Sequence, residues 1–381
     1  MTTDESTPLM EEKRREPARP VGRGGWGSWL AAIGLLAFVG LFALVSRTAL
    51  DPRVANPNVH DRARPAEYTF GFDHWMVVVQ IGTVLLLVTL VAIFIVGWRR
   101  NPGSPVMLMF LCTTLIVWQD PIMNWSPYAV YNPDLLHWPE SWPLVSLSPT
   151  VEPFIVFGYV MFYFGPYFPA VWILRKLQAK NGPQAFVSRH PLISLGLLIL
   201  VIGFVFDAAL EIGSIRTGMY TYSQVIPWGS IFTGTVFQFP LIWESLSVTF
   251  VMIPAGILCY RDDTGKSVAE KLAAKAKVFP TKPVLGTFLV MFAIINVSYF
   301  AYGAWFAVIK ASGAATAVAC PWPYPEAKVY DPQGYYEKAG AQHPYSVGIW
   351  STWMSGQPNG RPDVESPPPG EGACATPSQN G

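Results

Sequence analysis

Apolar positions in this chain fall in long unbroken runs, not in the two-residue alternation of strands. Seven runs, at roughly 29–47, 75–98, 105–122, 151–174, 191–212, 236–260 and 283–309, reach the length that crosses a hydrocarbon layer, about 20 residues. The pattern predicts an all-α, polytopic membrane bundle of about seven transmembrane helices. The first run starts late, is long, and precedes no small-x-small cleavage site, so it is expected to be a span and not a signal peptide.

The segments between and beyond the runs divide the chain further. Residues 1–25 are polar, with proline and arginine, and are expected to be a disordered arm. The helical bundle is expected over 26–310. The stretch 311–355 is rich in aromatic residues and is expected to cap the bundle outside the membrane. Residues 356–381 read as a disordered tail. The link "SVAEKLAAKAKVF" holds helix formers and a basic face. It suits either a helix lying on the membrane surface or a short solvated one.

Composition agrees with the run pattern. Charged residues make up 13% of the chain, and mean hydropathy is +0.31. Soluble proteins carry about a quarter charged residues. A net charge of +1, with no basic stripe, excludes a nucleic-acid binder. With the N-terminus placed inside, 17 of the 26 lysines and arginines fall in inside segments. That bias predicts the N-terminus inside and the C-terminus outside, and it is weakest at the first span, whose flanks are nearly balanced. Cys112 and Cys259 fall within runs and are expected to be small core residues. Cys320 and Cys374 fall in the outer tail, where an oxidising compartment would let them pair.

The depth of the polar residues carries the chemical signal. Ionisable groups inside spans are costly and usually face the bundle interior or a water-filled cavity. Asp120 and Asn124 close the third run at its outer end, in "WQDPIMNW". Asp207 and Glu211 lie in the last turns of the fifth, and Glu244 lies two turns into the sixth. Asn296, Tyr299 and Tyr302 fall in the middle and outer half of the seventh. Asp73, His74 and Glu152 open the second and fourth runs at the same side, where interfacial groups readily reach water. The acids are thus expected to converge near one face, and the other halves of the spans are almost free of them. Asp120 with Asn124, and Asp207 with Glu211, are i,i+4 pairs that share a helix face. Two carboxyl groups close together in a low dielectric do not both stay ionised easily. A neutral acid beside a carboxylate suits general acid–base work. Pro121 is expected to end or kink its helix and free the carbonyls of residues 117 and 118.

Other chemistries lack their signatures. No two of the five histidines share a helix face within a span, so neither a histidine metal box nor any other metal site is expected. "GRGGWGSW" follows no strand pattern, which removes a dinucleotide or phosphate loop. No GxSxG elbow is present, and the seventh run holds no lysine for a Schiff base. The expectation is a cofactor-free, carboxylate-lined pocket for a hydrophobic small molecule, in contact with membrane lipids.

"WQDPIMNW" together with "FDAALEIGSIRTGMYTY" resembles the actinobacterial membrane proteins named after the spiroketal cyclase of avermectin biosynthesis. The similarity spans about 70 to 310. The second motif also resembles multi-span carotenoid hydratases and cyclases, in which an acid precedes a "GxYxY" stretch. The first resemblance implies a bacterial cytoplasmic-membrane cyclase that turns a dihydroxyketone polyketide into a spiroketal, in some members with dehydration.

The acids suit that reaction. Glu211 or Glu244 is expected as proton donor, and Asp207 or Asp120 as the carboxylate that steadies the cation and takes the hydroxyl proton. Asn124, Asn296, Tyr220 and Tyr222 are expected to orient the oxygens, with Glu152 and Tyr299 also lining the pocket. Arg216 is expected either to touch substrate or to pair with Glu211. In the latter case Asp120 or Glu244 would be the acid. Two rivals use the same residues differently: a proton-coupled transporter or lipid-binding membrane protein, and a structural anchor for other enzymes. Transport would place the acids at mid-membrane.

Overall fold

The computed structural model describes residues 71–124, 129–139, 142, 144–145 and 148–319, with short stretches at 33–34, 37, 329–330 and 345–346. Among them, six helices are long and apolar enough to cross a membrane. They are α1 (Trp75–Arg100), α2 (Pro105–Met123), α3 (Phe154–Asn181), α4 (Pro191–Arg216), α5 (Leu241–Cys259) and, after the short α6 (Val268–Lys275), α7 (Pro283–Ala311). Six of the seven expected spans therefore stand where the apolar runs placed them. The expected first span, 29–47, lies outside the described residues, apart from Ile33, Gly34 and Ala37, which are helical. The expected arm and tail, and Cys320 with Cys374, also lie outside them.

Helix α1 shows why the surface suits hydrocarbon. Of its 26 residues only Thr83 is buried, and Val77, Ile81, Leu85 and Val88 all face outward. A contiguous apolar surface of that extent is not stable against water. The core lies among the other helices. Helix α5 packs against α4 and α7, and α7 also packs on α2 and α6. Leu195, Ile199, Met252 and Met291 are wholly enclosed there. Close approach of α4 to α5 depends on Gly256, since a Cβ at that position would overlap Ile199 and come 3.2 Å from Tyr167.

Three spans are interrupted near their acid-bearing ends. Helix α2 tightens to 3₁₀ over Ile116–Gln119 and then resumes over Asp120–Met123. Pro121 sits in the first turn of that last piece, where a missing N–H costs nothing. The Asp120 N–H bonds the Val117 carbonyl, so that expected orphan has its partner. Helix α3 begins with a 3₁₀ turn, Phe154–Gly158, and α5 breaks at Val248. Helix α6 starts from a capping box formed by Ser267 and Glu270 and buries Ala269 and Ala273.

Short ribbons join the loops at the acid-bearing end. Strand β1 (Ala129–Tyr131) pairs antiparallel with β2 (Tyr220–Tyr222), setting Tyr131 opposite Tyr220. Strand β3 (Gln224–Val225) pairs antiparallel with β4 (Ala317–Val318), which ties the start of the expected cap to the loop before α5.

Replacing Gly256 with leucine is expected to destabilise the bundle by roughly 1–3 kcal/mol through overpacking. Gly213→Ala, where a Cβ meets nothing within 4 Å, serves as the control. Thermal unfolding in detergent measures both, and equal midpoints would contradict the packing described.

Candidate active site

Five carboxyl side chains are buried among the described residues, and all lie at one end of the bundle. They come from the end of α2 (Asp120), the loop before α3 (Glu152), the last turns of α4 (Asp207, Glu211) and the first turn of α5 (Glu244). Asp120 and Asp207 have no exposed surface.

Asp120 anchors the first group. Tyr299 on α7 donates to its Oδ1 at 2.6 Å, and the Tyr159 hydroxyl on α3 donates to the same oxygen. Asn124 Nδ2 donates to Oδ2 at 3.0 Å, across the i,i+4 spacing that the unbroken turn preserves. Glu152 faces Asp120 from the loop. Its segment is held by the Trp138 N–H, which donates to the Glu152 carbonyl at 3.0 Å, and by the Phe154 N–H, which donates to Leu136 at 2.8 Å. Neither carboxyl oxygen of Glu152 has a hydrogen-bond partner. Burial, and then the negative charge of Asp120, push the Glu152 carboxyl well above the usual carboxylate range. The residue reads in sequence as an interfacial acid, yet the loop folds over it and leaves it 3% exposed.

Asp207, Glu211 and Glu244 form the second group, with one carboxylate oxygen of each within 4.8 Å of the other two. The i,i+4 spacing on α4 puts the first two on one face, and α5 brings the third against it. Tyr222 donates to Glu211 Oε2 at 2.8 Å, and Tyr302 donates to Glu244 Oε1 at 2.7 Å. A sharp reversal after α4 makes the first of these contacts possible. Gly218 takes φ +76°, a conformation that a side chain would strain, and the chain turns back so that Tyr220 and Tyr222 face Glu211. Asn132 Nδ2 fixes the turn by donating to the Gly218 carbonyl at 3.0 Å.

Phenol rings join the two groups. Tyr131 meets Tyr220 edge to face at 5.5 Å between centroids, and Tyr299 stacks on Tyr302 at 5.7 Å. Tyr163 lies 5.7 Å from Tyr299. Burial, followed by the charge of the acids, raises the hydroxyls of Tyr131, Tyr220 and Tyr222 well above the ordinary phenol value. These phenols therefore keep their protons at neutral pH and are not phenolates.

The structure thus gathers Asp120, Asn124, Glu152 and Tyr299 in one group and Asp207, Glu211, Glu244, Tyr220 and Tyr222 in the other. It does not gather Arg216 or Asn296 with the acids. Arg216 meets the aromatic rings of the covering loop. Its guanidinium lies over the rings of Phe232 and Phe237, at 4.3 and 4.5 Å, because the loop before α5 passes across the end of α4. Asn296 has its hydrogen bonds committed to structure. Its Oδ1 accepts from Gln119 Nε2 at 2.6 Å and Trp118 Nε1 at 2.8 Å, and its Nδ2 donates to the Phe292 carbonyl at 2.7 Å. Asp73 and His74 are mostly exposed and stand apart from the buried acids. The sequence reading missed Tyr131, Tyr159, Tyr163 and the part played by Tyr302. The i,i+4 spacing of Tyr159 with Tyr163, and i,i+3 of Tyr299 with Tyr302, marks shared faces, but aromatic residues near span ends ordinarily form an interfacial belt.

An apolar groove of about 470 Å³ opens elsewhere, lined by Trp98, Leu108, Phe288 and neighbours. It lies toward the opposite ends of α2 and α7, and its nearest lining residue on α2, Leu111, is nine residues or roughly 14 Å of helix from Asp120. It contains none of the acids.

A family model described as "Spirocyclase AveC-like" matches residues 98–330, more than half of the chain. The matched segment contains all five buried acids and all seven phenols of the site. It begins later and ends further along than the similarity read from the motifs. No curated protein and no solved structure matches the chain.

The buried carboxyl of Glu152 makes a pH-dependent contribution to stability. Its folded pKa lies above the ordinary 4.5, so the folded state retains a proton that the unfolded state loses. Stability is complete below that ordinary value and falls as pH rises toward the folded pKa, by up to about 1.4 kcal/mol per pH unit. Asp120 and Tyr131 face the group, and the Ser148 hydroxyl opposes the shift. Glu152→Gln imitates the neutral acid, so the midpoint of the variant should gain on that of the wild type between pH 5 and pH 8. A difference that does not vary with pH would show that Glu152 is ionised in the fold.

Proposed function

The chain belongs to the AveC-like spirocyclase family, and from that premise we propose that it is a membrane-embedded cyclase that closes spiroketals by acid–base catalysis. The substrate class is an apolar, polyketide-like dihydroxyketone. The observation that carries this reading is the Asp120–Glu152 pair: a carboxylate held by three donors, facing a buried carboxyl that keeps its proton.

Spiroketal closure joins one ketone to two hydroxyls and releases one water. The first hydroxyl adds to the carbonyl and gives a hemiketal. Glu152 protonates the hemiketal hydroxyl, the C–O bond breaks, and water leaves an oxocarbenium ion. Asp120 steadies that cation electrostatically. The second hydroxyl attacks the carbon and gives its proton to Asp120. Glu152 is then the carboxylate and Asp120 the acid. Because the two face each other, the proton returns and the cycle closes with no net change in the protein. The structure supports Glu152 over Glu211 or Glu244 as donor, since Tyr222 and Tyr302 already occupy an oxygen of each of the latter. Asn124, Tyr159 and Tyr299 fix the carboxylate, and the phenols between the groups offer donors to substrate oxygens.

Several features support catalysis over transport. The buried acids cluster at one end of the bundle, whereas alternating access places coupling groups at mid-membrane between opposed repeats. An apolar polyketide also reaches such a site through hydrocarbon. In the proposed topology this end faces outward.

With purified protein and a synthetic dihydroxyketone, Asp120→Asn and Glu152→Gln are each expected to lower turnover by roughly 10²- to 10⁴-fold. Asp262→Asn, at the surface ion pair with Lys271, should leave turnover unchanged. Wild-type turnover should fall as pH rises through the elevated Glu152 pKa, because the donor must hold its proton. Spiroketal formation undiminished in both site variants would rule out the assignment.

A further inference from the structure

The second group of acids has the composition of a cation site. We propose that Asp207, Glu211 and Glu244 bind one hard divalent cation, of the Mg²⁺, Mn²⁺ or Ca²⁺ class. This inference is independent of which substrate the protein turns over.

Three observations carry it. The first is geometry: the three carboxylates come within 4.8 Å of one another, all buried. Two oxygens on one ion are separated by at most twice the metal–oxygen length, roughly 4 Å for Mg²⁺ and roughly 5 Å for Ca²⁺. The set therefore closes on a cation with little or no movement. Oxygen-only ligands select the hard cations over zinc or copper.

The second is the state of the polar atoms. Both oxygens of Asp207 and Oε2 of Glu244 are buried without a hydrogen-bond partner. Beside them, Ser245 Oγ faces Asp207 and the Tyr220 hydroxyl faces Glu211, and neither reaches hydrogen-bonding geometry. Ser245 has no exposed surface and Tyr220 has 6%. Buried polar atoms left this way cost free energy unless a ligand satisfies them. The ion pairs His74–Asp73 and Lys271–Asp262 involve none of the three acids.

The third is the arrangement behind the carboxylates. Tyr222 holds Oε2 of Glu211, and Tyr302 holds Oε1 of Glu244, which leaves Oε2 of Glu244 for a ligand. Phenols that orient carboxylates from outside in this way are what a metal's outer shell provides. A cation here offsets the repulsion of three buried acids. It also retains coordination positions for water or a substrate oxygen next to the Asp120 group.

Manganese is the probe. Full-length protein in detergent, stripped with chelator, is titrated with Mn²⁺, and the free ion is followed by electron paramagnetic resonance. The expected result is one saturable Mn²⁺ per chain, displaced by excess Mg²⁺ or Ca²⁺, with a rise in the thermal midpoint. Asp207→Asn and Glu244→Gln should each weaken binding at least tenfold and remove the midpoint rise. Asp262→Asn and Glu152→Gln should leave binding intact. If one site variant fails to fold, the other decides the result. Non-saturable binding, or binding unchanged in the site variants, would overturn the proposal and leave the three acids sharing protons. Because binding is read without substrate, its failure is separate from failure of the cyclase reading.

Discussion

The end of this bundle is organised around the burial of five carboxyl groups, none of which belongs to the ion pairs found among the described residues. A lone charge in an apolar interior is expensive, so each acid must be neutral, hydrogen-bonded or matched by a cation. Phenols supply much of the answer. Asp120 takes two tyrosine hydroxyls and an asparagine amide, and Glu211 and Glu244 each take one phenol. A phenol combines a donor with a large apolar body, so it satisfies a carboxylate without bringing water or a counter-charge. The richness in tyrosine near one face follows from this demand as much as from interfacial anchoring.

The loops follow from the same constraint. A polar site at the end of a membrane bundle needs a cover, and here the cover is built from paired strands that satisfy their own backbone groups. The β1–β2 ribbon carries Tyr131, Tyr220 and Tyr222 over the acids in a fixed register. Gln238 adds a tie from the loop before α5, donating to the Tyr222 carbonyl at 2.8 Å. The 3₁₀ turn in α2 and the break in α5 lie next to Asp120 and Glu244. Irregular backbone is tolerated at such depth where it is enclosed in protein.

Division of the acids into two groups gives each a separate part in the proposed chemistry. The Asp120–Glu152 pair offers a proton and a place to return it. The Asp207–Glu211–Glu244 set offers three clustered carboxyl groups with oriented oxygens, which suits a cation. The tyrosines between them form a surface of donors that can meet substrate oxygens without ionising. In the proposed reaction, a condensation with loss of water would take place in surroundings that exclude bulk water, where hydrogen bonds count for more.

The sequence by itself determined the helices. Runs as long as 283–309 leave no alternative in length or hydropathy, and each described span stands on its run. It also determined that Asp120, Asp207, Glu211 and Glu244 share a depth, because rise per residue is fixed within a helix. Local spacing fixed the Asp120–Asn124 contact and the shared face of Asp207 and Glu211. What only the tertiary structure decided is which of these residues meet across helices. Arg216 is close to Glu211 in sequence, but the loop carrying Phe232 and Phe237 takes its guanidinium. Asn296 lies at a suitable depth, yet it faces Trp118 and Gln119. Glu152 is an ordinary interfacial acid until its loop folds over and sets it against Asp120. Depth along a helix is a local property of the chain. Rotation about the helix axis and the path of a covering loop are set by packing against distant segments, which one-dimensional spacing does not encode.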